Sequence, residues 1–296
     1  MKLVALDWGT SSLRGALLAA DGRVLEERSF ARGILTVEPG GFAAVFDSCF
    51  GDWMNGDKKG TLCLISGMAG SQQGWVKAPY CPCPAGFADI AAQLVWVKPN
   101  RMAIVPGLSL DISGVPDVMR GEETQVFGAL HLLGLADARL VLPGTHSKWV
   151  TVSNHRVTNF STWMTGEFYA LLRQHSILAR TLPTDEEHDD AAFEQGVAHA
   201  LKGQSLLRTA FSVRTLSLFN RMSADALPSY LSGLVIGEEI KCQQLLNGGG
   251  VVLVGAENLT TKYALALKQL GVRSQAVGAQ ATWQGLHKIA STLNHR

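Results

Sequence analysis

The chain opens with short apolar runs separated by turn residues. Lys2–Asp7, Leu13–Ala19 and Val24–Phe30 predict three strands joined by Gly9-Thr10-Ser11-Ser12 and by an Asp21-Gly22 hairpin turn, so the first 33 residues read as an antiparallel meander. Phe42, Val45, Phe46, Cys49, Phe50 and Trp53 then recur at steps of three and four, which predicts a helix with one buried face. Thr61–Ser66 and Met102–Val105 read as buried strands, ended by Gly67-Met68-Ala69-Gly70 and Pro106-Gly107. Phe87–Val97 and Glu122–Leu133 have helical spacing, the second stopping near Gly134. Strands alternating with helices describe a layered α/β domain over 1–135.

From Arg139 the opening pattern returns. Leu6-Asp7-Trp8-Gly9-Thr10-Ser11-Ser12 can be laid on Leu142-Pro143-Gly144-Thr145-His146-Ser147, and each segment leads into a strand, a polar turn and a strand that begins Arg-Val, at Arg23-Val24 and Arg156-Val157. A matched series of this kind predicts two related halves. Beyond it, Glu167–Leu182 and further segments to Leu246 predict helices broken at Pro183 and Pro228. Asn247-Gly248-Gly249-Gly250 reads as a hinge or turn, followed by a strand Val251–Val254, a helix Thr260–Leu270, a strand Val272–Val277 and a helix Ala279–Leu293. The expected second domain, 136–296, is again α/β, with a helical insertion.

Composition narrows the partner. Lys and Arg number 26 against 25 Asp and Glu, a net charge of +1, which gives no electrostatic case for nucleic acid or an anionic membrane surface. A hydrophobic fraction of 47% with only 17% charged residues, against a usual ~25%, allows a large core. The expected partner is a small molecule. Five cysteines are too few for a disulfide scaffold at this length, no segment reaches the ~18 apolar residues of a membrane helix, and the opening residues predict no signal peptide, so a reducing, cytoplasmic setting is expected. Cys81-Pro82-Cys83-Pro84 has no second Cys/His pair at ligand spacing and reads as a proline-stiffened loop. The acidic run Asp185–Asp190 reads as a solvated loop.

The candidate chemistry lies in the two Gly-Thr turns. Asp7 ends a buried strand and precedes Gly9, Thr10, Ser11 and Ser12. A glycine lets backbone approach a phosphate, hydroxyls and turn N–H groups donate to its oxygens, and a nearby carboxylate can hold hydrated Mg²⁺. No Walker lysine and no G-x-G-x-x-G opening a helix are present, so neither of those nucleotide signatures fits. Gly144, Thr145, His146 and Lys148 form the second candidate phosphate loop, and Gly255, at the end of Val251–Val254, sits where a loop could close over a base. A decorated turn and an ordinary strand end are the bland readings of these same residues.

The arrangement resembles the sugar kinase, heat-shock ATPase and actin superfamily, whose first phosphate loop reads Asp-x-Gly-Thr. Within it the chain is similar to the 2-dehydro-3-deoxygalactonokinase family. The segments that carry the likeness are Asp7–Arg14, Ser66-Gly67-Met68 with Gln73-Gly74-Trp75, Cys83-Pro84, Val105–Leu108, Pro116–Gln125, Leu142–Val150 and Met164-Thr165-Gly166-Glu167. They lie between residues 7 and 167, and the C-terminal part matches mainly in pattern.

The resemblance implies a two-domain actin-like (ribonuclease H-like) α/β fold with an interdomain cleft, ATP and Mg²⁺ as cofactors, and phosphorylation of a keto-deoxy sugar acid at O6. It implies Asp7 as the magnesium ligand, Asp117 as the base with Glu122 or Glu123 behind it, and Arg14, Arg120, Thr165 and Glu167 toward the substrate. It also leaves room for a homodimer. The second loop has His146 and no Asp, a departure that leaves the base open. Helix-terminus stabilisation is the bland reading of Glu122 and Glu123, and surface ion pairing that of the two arginines. A kinase for another sugar or sugar acid, and a non-catalytic nucleotide or sugar sensor, are the competing readings.

Overall fold

A computed structural model describes residues 2–55, 60–185, 187–203, 205–245 and 250–293. The chain divides into two compact units, one of Met1–Leu140, Val150–Ser161 and Val277–Arg296, the other of Val141–Trp149 and Thr162–Ala276.

In the first unit, β1 (Leu3–Trp8), β2 (Leu13–Leu18) and β3 (Val24–Phe30) form the expected meander. Helix α1 (Phe42–Asn55) turns Phe42, Phe46, Phe50 and Trp53 onto the sheet, where Leu6, Trp8, Leu13 and Ile65 meet them. Each such aromatic removes enough apolar surface from water to contribute roughly 1.5–3 kcal/mol, and the Trp8 and Phe42 rings meet edge to face at 5.3 Å. Strand β4 (Leu62–Gly67) pairs parallel with β1, Asp7 opposite Ser66 and Trp8 opposite Gly67, and all of its residues are buried. That burial explains its unbroken apolar run.

The segment after β5 (Tyr80–Pro82) corrects one expectation. The helix predicted over 87–97 stops at Ala92 (α2, Phe87–Ala92), and Val95–Lys98 forms β6, paired antiparallel with β7 (Met102–Ile104). Alternating exposure along Val95-Trp96-Val97-Lys98 is the two-residue period of a strand, which the β-branched and aromatic side chains favour over the helical spacing read from the sequence. A hairpin follows that the sequence pattern left unassigned: β8 (Gly107–Ile112) and β9 (Val115–Met119) pair antiparallel, with Ser113-Gly114 at its tip. The strand orders are β3-β2-β1-β4-β7-β6 and β5-β8-β9. Helix α3 (Glu122–Leu133) has the expected bounds and ends at Gly134.

The later sheet repeats the opening arrangement. β10 (Ala138–Leu142), β11 (Ser147–Ser153) and β12 (Arg156–Trp163) stand in the order β12-β11-β10-β13-β14, where β13 is Gly250–Val254 and β14 is Arg273–Val277. A later strand thus enters beside the first strand of each meander, β4 beside β1 and β13 beside β10. Between them run α4 (Thr165–His175), α5 (Asp190–Lys202), α6 (Leu206–Thr209), α7 (Ser212–Leu218) and α8 (Leu227–Lys241), and α9 (Glu257–Gln269) joins β13 to β14. The helix expected over 167–182 ends at His175, and a single 3-10 turn, Ile177–Arg180, is capped by the Ser176 side chain, which accepts from Leu178 N at 3.0 Å. Pro228 does not break a helix as expected. It lies in the first turn of α8, where a missing N–H costs nothing. Residues 247–249 of the expected hinge, and Glu186 of the acidic run, lie outside the described residues; within that run Asp189 caps α5 by accepting from Ala192 N.

The last helix, α10 (Gln280–Leu293), returns to the first unit and crosses α3 in backbone contact. A Cβ on Gly285 would stand 1.9 Å from Thr124 O, and one on Gly128 1.7 Å from Ala281 O. Gly285→Ala therefore has to drive the helices apart. The expected loss is about 2 kcal/mol, the scale of overpacking in a tight core, read as a lowered urea midpoint with an unchanged m value.

Candidate functional site

In the first unit the candidate site is built at the carboxyl ends of two adjacent parallel strands. Asp7 is 16% exposed and forms an ion pair with Arg14, its cross-strand partner on β2. Gly9, Thr10, Ser11 and Ser12 make the turn between β1 and β2, tightened by Gly9 N donating to Ser12 O at 2.9 Å. Ile34 N donates to Gly9 O at 3.0 Å and Leu35 N to Thr10 O at 3.3 Å, so the following segment backs the loop and leaves Thr10 and Ser11 exposed. Gly67, at the end of β4, has φ +88°, and a Cβ there would lie 2.9 Å from Trp8 O and 3.1 Å from Asp7 Oδ1. Only glycine combines that backbone with that space.

The same glycine receives the start of α3. Gly121, at φ +104°, approaches so closely that a Cβ on it would be 3.2 Å from Gly67 Cα. Glu122 accepts from Arg120 N at 3.0 Å, and Glu123 turns inward, accepting from Gly121 N at 2.7 Å with Ser66 Oγ at 3.4 Å. Glu123 is fully buried, and burial pushes its carboxyl up to about 8. With no exposed surface, Glu123 holds the helix entry and offers nothing for a solvent-borne ligand to touch.

Asp117 and Arg120 stand on the other side of that entry in sequence. Asp117 is half-buried on β9, opposite Leu110, and its Oδ1 accepts from Val118 N at 2.7 Å. Arg120 sends its guanidinium to Ala78 O at 2.9 Å and lies over the Tyr80 ring at 4.3 Å. Asp7, Arg14, Gly67, Gly121 and the backbone of Arg120 and Glu122 are thus brought together, while the Arg120 side chain points to the strand that carries Tyr80. Cys81 and Cys83 lie in the β5 segment, and burial pushes both thiols up, Cys83 to about 11.

In the second unit the loop Pro143–His146 joins β10 to β11. Gly166, at the start of α4, presses against it: a Cβ would be 2.6 Å from Gly144 O and 2.9 Å from Thr145 Cα. Glu167 N donates to Thr145 O at 3.0 Å, and the Glu167 carboxylate contacts the His146 ring. Thr145 and His146 are exposed, whereas Lys148 is only 5% exposed and donates to His146 O at 3.1 Å. Gly255 lies over this loop, its nearest atom to a hypothetical Cβ being Pro143 O at 3.8 Å.

Beside the loop opens a cavity of about 610 Å³, lined among others by Gly144, Thr165, Tyr169, Ile236, Asn258 and Tyr263. Behind its wall lies a group that the sequence reading missed. Glu239 of α8, 2% exposed, accepts from Ser147 Oγ at 2.8 Å, Trp149 Nε1 at 2.6 Å, Tyr263 OH at 2.7 Å and the Thr165 hydroxyl. Burial pushes this carboxyl up, and the four donors oppose that rise. One signal was available: Glu239 sits, with Glu238, in the last turn of a mostly apolar helix, where the helix dipole disfavours a carboxylate.

Repeated strand–Gly-Thr loop–strand units with an adjoining ligand-sized cavity define the class as an actin-like ATPase and sugar kinase fold. The fold is shared, at 12% identity and a TM-score of 0.53, with the Clostridium difficile activator of 2-hydroxyisocaproyl-CoA dehydratase, solved with ADPNP, over 100% of this chain and 97% of that one. The chain belongs to the 2-keto-3-deoxy-galactonokinase family, which it matches over residues 7–289. It is 38% identical to the Rhizobium meliloti protein named Probable 2-dehydro-3-deoxygalactonokinase DgoK1, over 98% of this chain and 96% of that protein. It is 35% identical to the Escherichia coli 2-dehydro-3-deoxygalactonokinase, over 99% of this chain and 98% of that one. The crystal structure of a Sinorhizobium meliloti protein with the same enzyme designation superposes with a TM-score of 0.88 at 35% identity, covering 99% and 98% of the two chains. Among the described residues no helix is long and apolar enough to cross a membrane.

The titration of Glu123 gives a direct test of its burial. A carboxyl raised from 4.5 to about 8 binds more protons folded than unfolded, so its stabilising contribution is full below 4.5 and is lost as pH rises through about 8. Glu123→Gln, which has no charge to bury, is expected to flatten the decline of unfolding free energy between those limits. Denaturant titrations at four or five pH values check it; identical slopes in the two proteins would show that Glu123 ionises freely.

Proposed function

We propose that this chain transfers the γ-phosphoryl group of ATP to the 6-hydroxyl of 2-dehydro-3-deoxy-D-galactonate, giving the 6-phosphate and ADP. The observation that carries the reading is the match to two curated kinases of that name across nearly the whole of each chain. The local chemistry is consistent with it. Residues 1–135 supply the first phosphate loop, Gly9 to Ser12, and residues 136–296 supply the second, Gly144 to His146, with Gly255 and the adjoining cavity for adenosine. Lys148, buried behind the second loop, acts on phosphate through the His146 carbonyl it holds. The substrate carboxylate and hydroxyls fall to Arg14, Arg120 and Glu167, because an anionic, hydroxyl-rich ligand needs cations and paired donors and acceptors, while Thr165, on the wall of the cavity, falls to the nucleotide.

The donor set fits Mg²⁺ brought in with the nucleotide. Mg²⁺ uses one or two carboxylates and substrate phosphates, keeping several waters. Asp7 suits this, with one oxygen on Arg14 and the other kept uncovered by the missing side chain of Gly67. Among the described residues no cluster of three or more metal-ligating side chains is formed, and this mode needs none. Bound there, Mg²⁺ would offset charge on the transferring phosphoryl group.

In the transfer itself the sugar oxygen forms a bond to the γ-phosphorus, the bond from that phosphorus to the β,γ-bridging oxygen breaks, and ADP departs with that oxygen. The hydroxyl proton passes to Asp117, the half-buried carboxylate of β9 that precedes the α3 entry. Glu122 is the next candidate. Its carboxylate accepts from Arg120 N at 3.0 Å, which holds it at the helix start.

An ADP-release assay with ATP, across 2-keto-3-deoxy sugar acids and plain hexoses, tests the function. Release that depends on the galactonate derivative supports it, preference for another acid moves the substrate, and nucleotide binding without release favours a sensor. With that assay, Asp117→Asn is expected to lower kcat by roughly 10²–10⁴ while ATP affinity stays within a few-fold. Asp7→Asn is expected to cost at least about a hundredfold in turnover, since each ~1.4 kcal/mol of lost charge stabilisation is a factor of ten. A mild Asp117 variant beside a severe Glu122→Gln variant would transfer the base to Glu122.

A further inference from the structure

Glu239 belongs to no loop or strand of the proposed phosphate grip, and yet three other elements converge on it. Ser147 and Trp149 come from β11, Thr165 from the start of α4, Tyr263 from α9, and the carboxylate itself from α8. Thr165 and Tyr263 line the 610 Å³ cavity, together with Ser232, Val235 and Ile236 of the helix that carries Glu239. Ser147 directly follows the Gly144-Thr145-His146 loop, whose backbone Glu167 N also holds.

The chemistry of the group matters as much as its place. A carboxylate offers about four lone-pair sites and no proton. The hydroxyls of Ser147, Thr165 and Tyr263 converge on one oxygen, Oε2, and each commits its only proton to it, while Trp149 Nε1 donates to Oε1. Thr165 and Tyr263 line the cavity, and with their protons so committed their oxygens can meet a ligand's amino or hydroxyl donors only as acceptors. Glutamine could not reproduce this set, because its NH2 group, at either oxygen's position, would face Trp149 Nε1–H or the three hydroxyls, all donors to the carboxylate. A buried charge contributes less to stability than an apolar side chain of the same shape, so what the carboxylate supplies is orientation.

We infer that Glu239 is a positioning residue for the nucleotide: it fixes the acceptor face of the cavity and the register of the second phosphate loop as one piece. This rests on the kinase reading only in taking the cavity ligand to be an adenine nucleotide. The inference predicts a selective effect, on nucleotide and not on sugar acid.

The test measures ADP affinity by calorimetry, and KM for ATP and for the sugar acid, in wild type, Glu239→Gln and Tyr263→Phe, with far-UV circular dichroism and melting curves confirming folded protein. Glu239→Gln is expected to weaken ADP binding and raise KM for ATP by about tenfold or more, the scale of a lost charge-assisted hydrogen bond, with KM for the sugar acid within about twofold of wild type by the same reasoning that the two ligands are bound apart. Tyr263→Phe, which removes one donor, is expected to give about a threefold rise in KM for ATP. Folded variants with wild-type nucleotide affinity overturn the inference, as do variants in which both KM values rise equally, since a general loosening would do that. If Glu239→Gln does not fold, Tyr263→Phe alone decides, and an unchanged KM for ATP overturns the proposal. Wild type that binds ADP without phosphorylating any sugar acid would end the functional reading while the ADP affinities still decide this one; wild type that binds no ADP would end both.

Discussion

A half-buried carboxylate can stand at the end of β1 because Gly67, on the strand beside it, has no side chain. A Cβ at Gly67 would press on Trp8 O at 2.9 Å and cover Asp7 Oδ1 at 3.1 Å, and it would also push away Gly121, whose own Cβ position is 3.2 Å from Gly67 Cα. Three segments far apart in sequence therefore depend on one absent methyl group: the first loop, the end of β4 and the entry of α3. Arg14 is placed by strand register opposite Asp7, and Glu122 by the helix start, so both inherit their positions from the same packing. Hydrophobic burial beneath the sheet supplies the stability, and the glycine contact determines what can be displayed at its edge.

The second unit solves a similar problem with different residues. Gly166 lets α4 press on the backbone of Gly144 and Thr145, and Glu167 N and the Thr145 carbonyl close the contact with a hydrogen bond. Exposed Thr145 and His146 are thereby held from below by a helix, and a loop so backed can present donors without first paying the entropy of ordering. Both units place flexible-looking Gly-Thr turns on rigid supports, and both use a glycine at the support instead of a large side chain.

Much of this was legible in the sequence, for identifiable reasons. The meander, α1, α3 and the strand–helix–strand–helix run at the C-terminus were readable because their apolar residues keep one period over a full element, as in Phe42 to Trp53. The helix expected to run to Val97 failed because Val95–Lys98 is too short for spacing to separate three-residue from two-residue repeats, and pairing with β7 decided it. Pro228 misled because proline at a helix start and proline after a helix end look alike in sequence. The candidate loops were readable from glycine and hydroxyl content, since those residue types carry their chemistry locally. Glu239 was not, because its significance lies in Ser147, Thr165 and Tyr263, which are 92, 74 and 24 residues away.

The two buried glutamates show how much neighbouring donors decide. Glu123 and Glu239 are both almost fully buried, and desolvation raises both. Glu123 has Gly121 N as its one short donor, with Ser66 Oγ farther off at 3.4 Å, lies beside the charge of Glu122, and rises to about 8, so near neutral pH it is mainly a protonated acid. Glu239 has four donors and no like charge among its hydrogen-bond partners, an environment suited to a carboxylate and wasteful for an acid, since a protonated oxygen would have to displace one of the donors. One side chain type thus serves as a neutral hinge pin at the entry of α3 and as a hydrogen-bonded hub behind the cavity. The difference follows from the partners that the fold brings to each, and neither role requires the glutamate to touch a ligand.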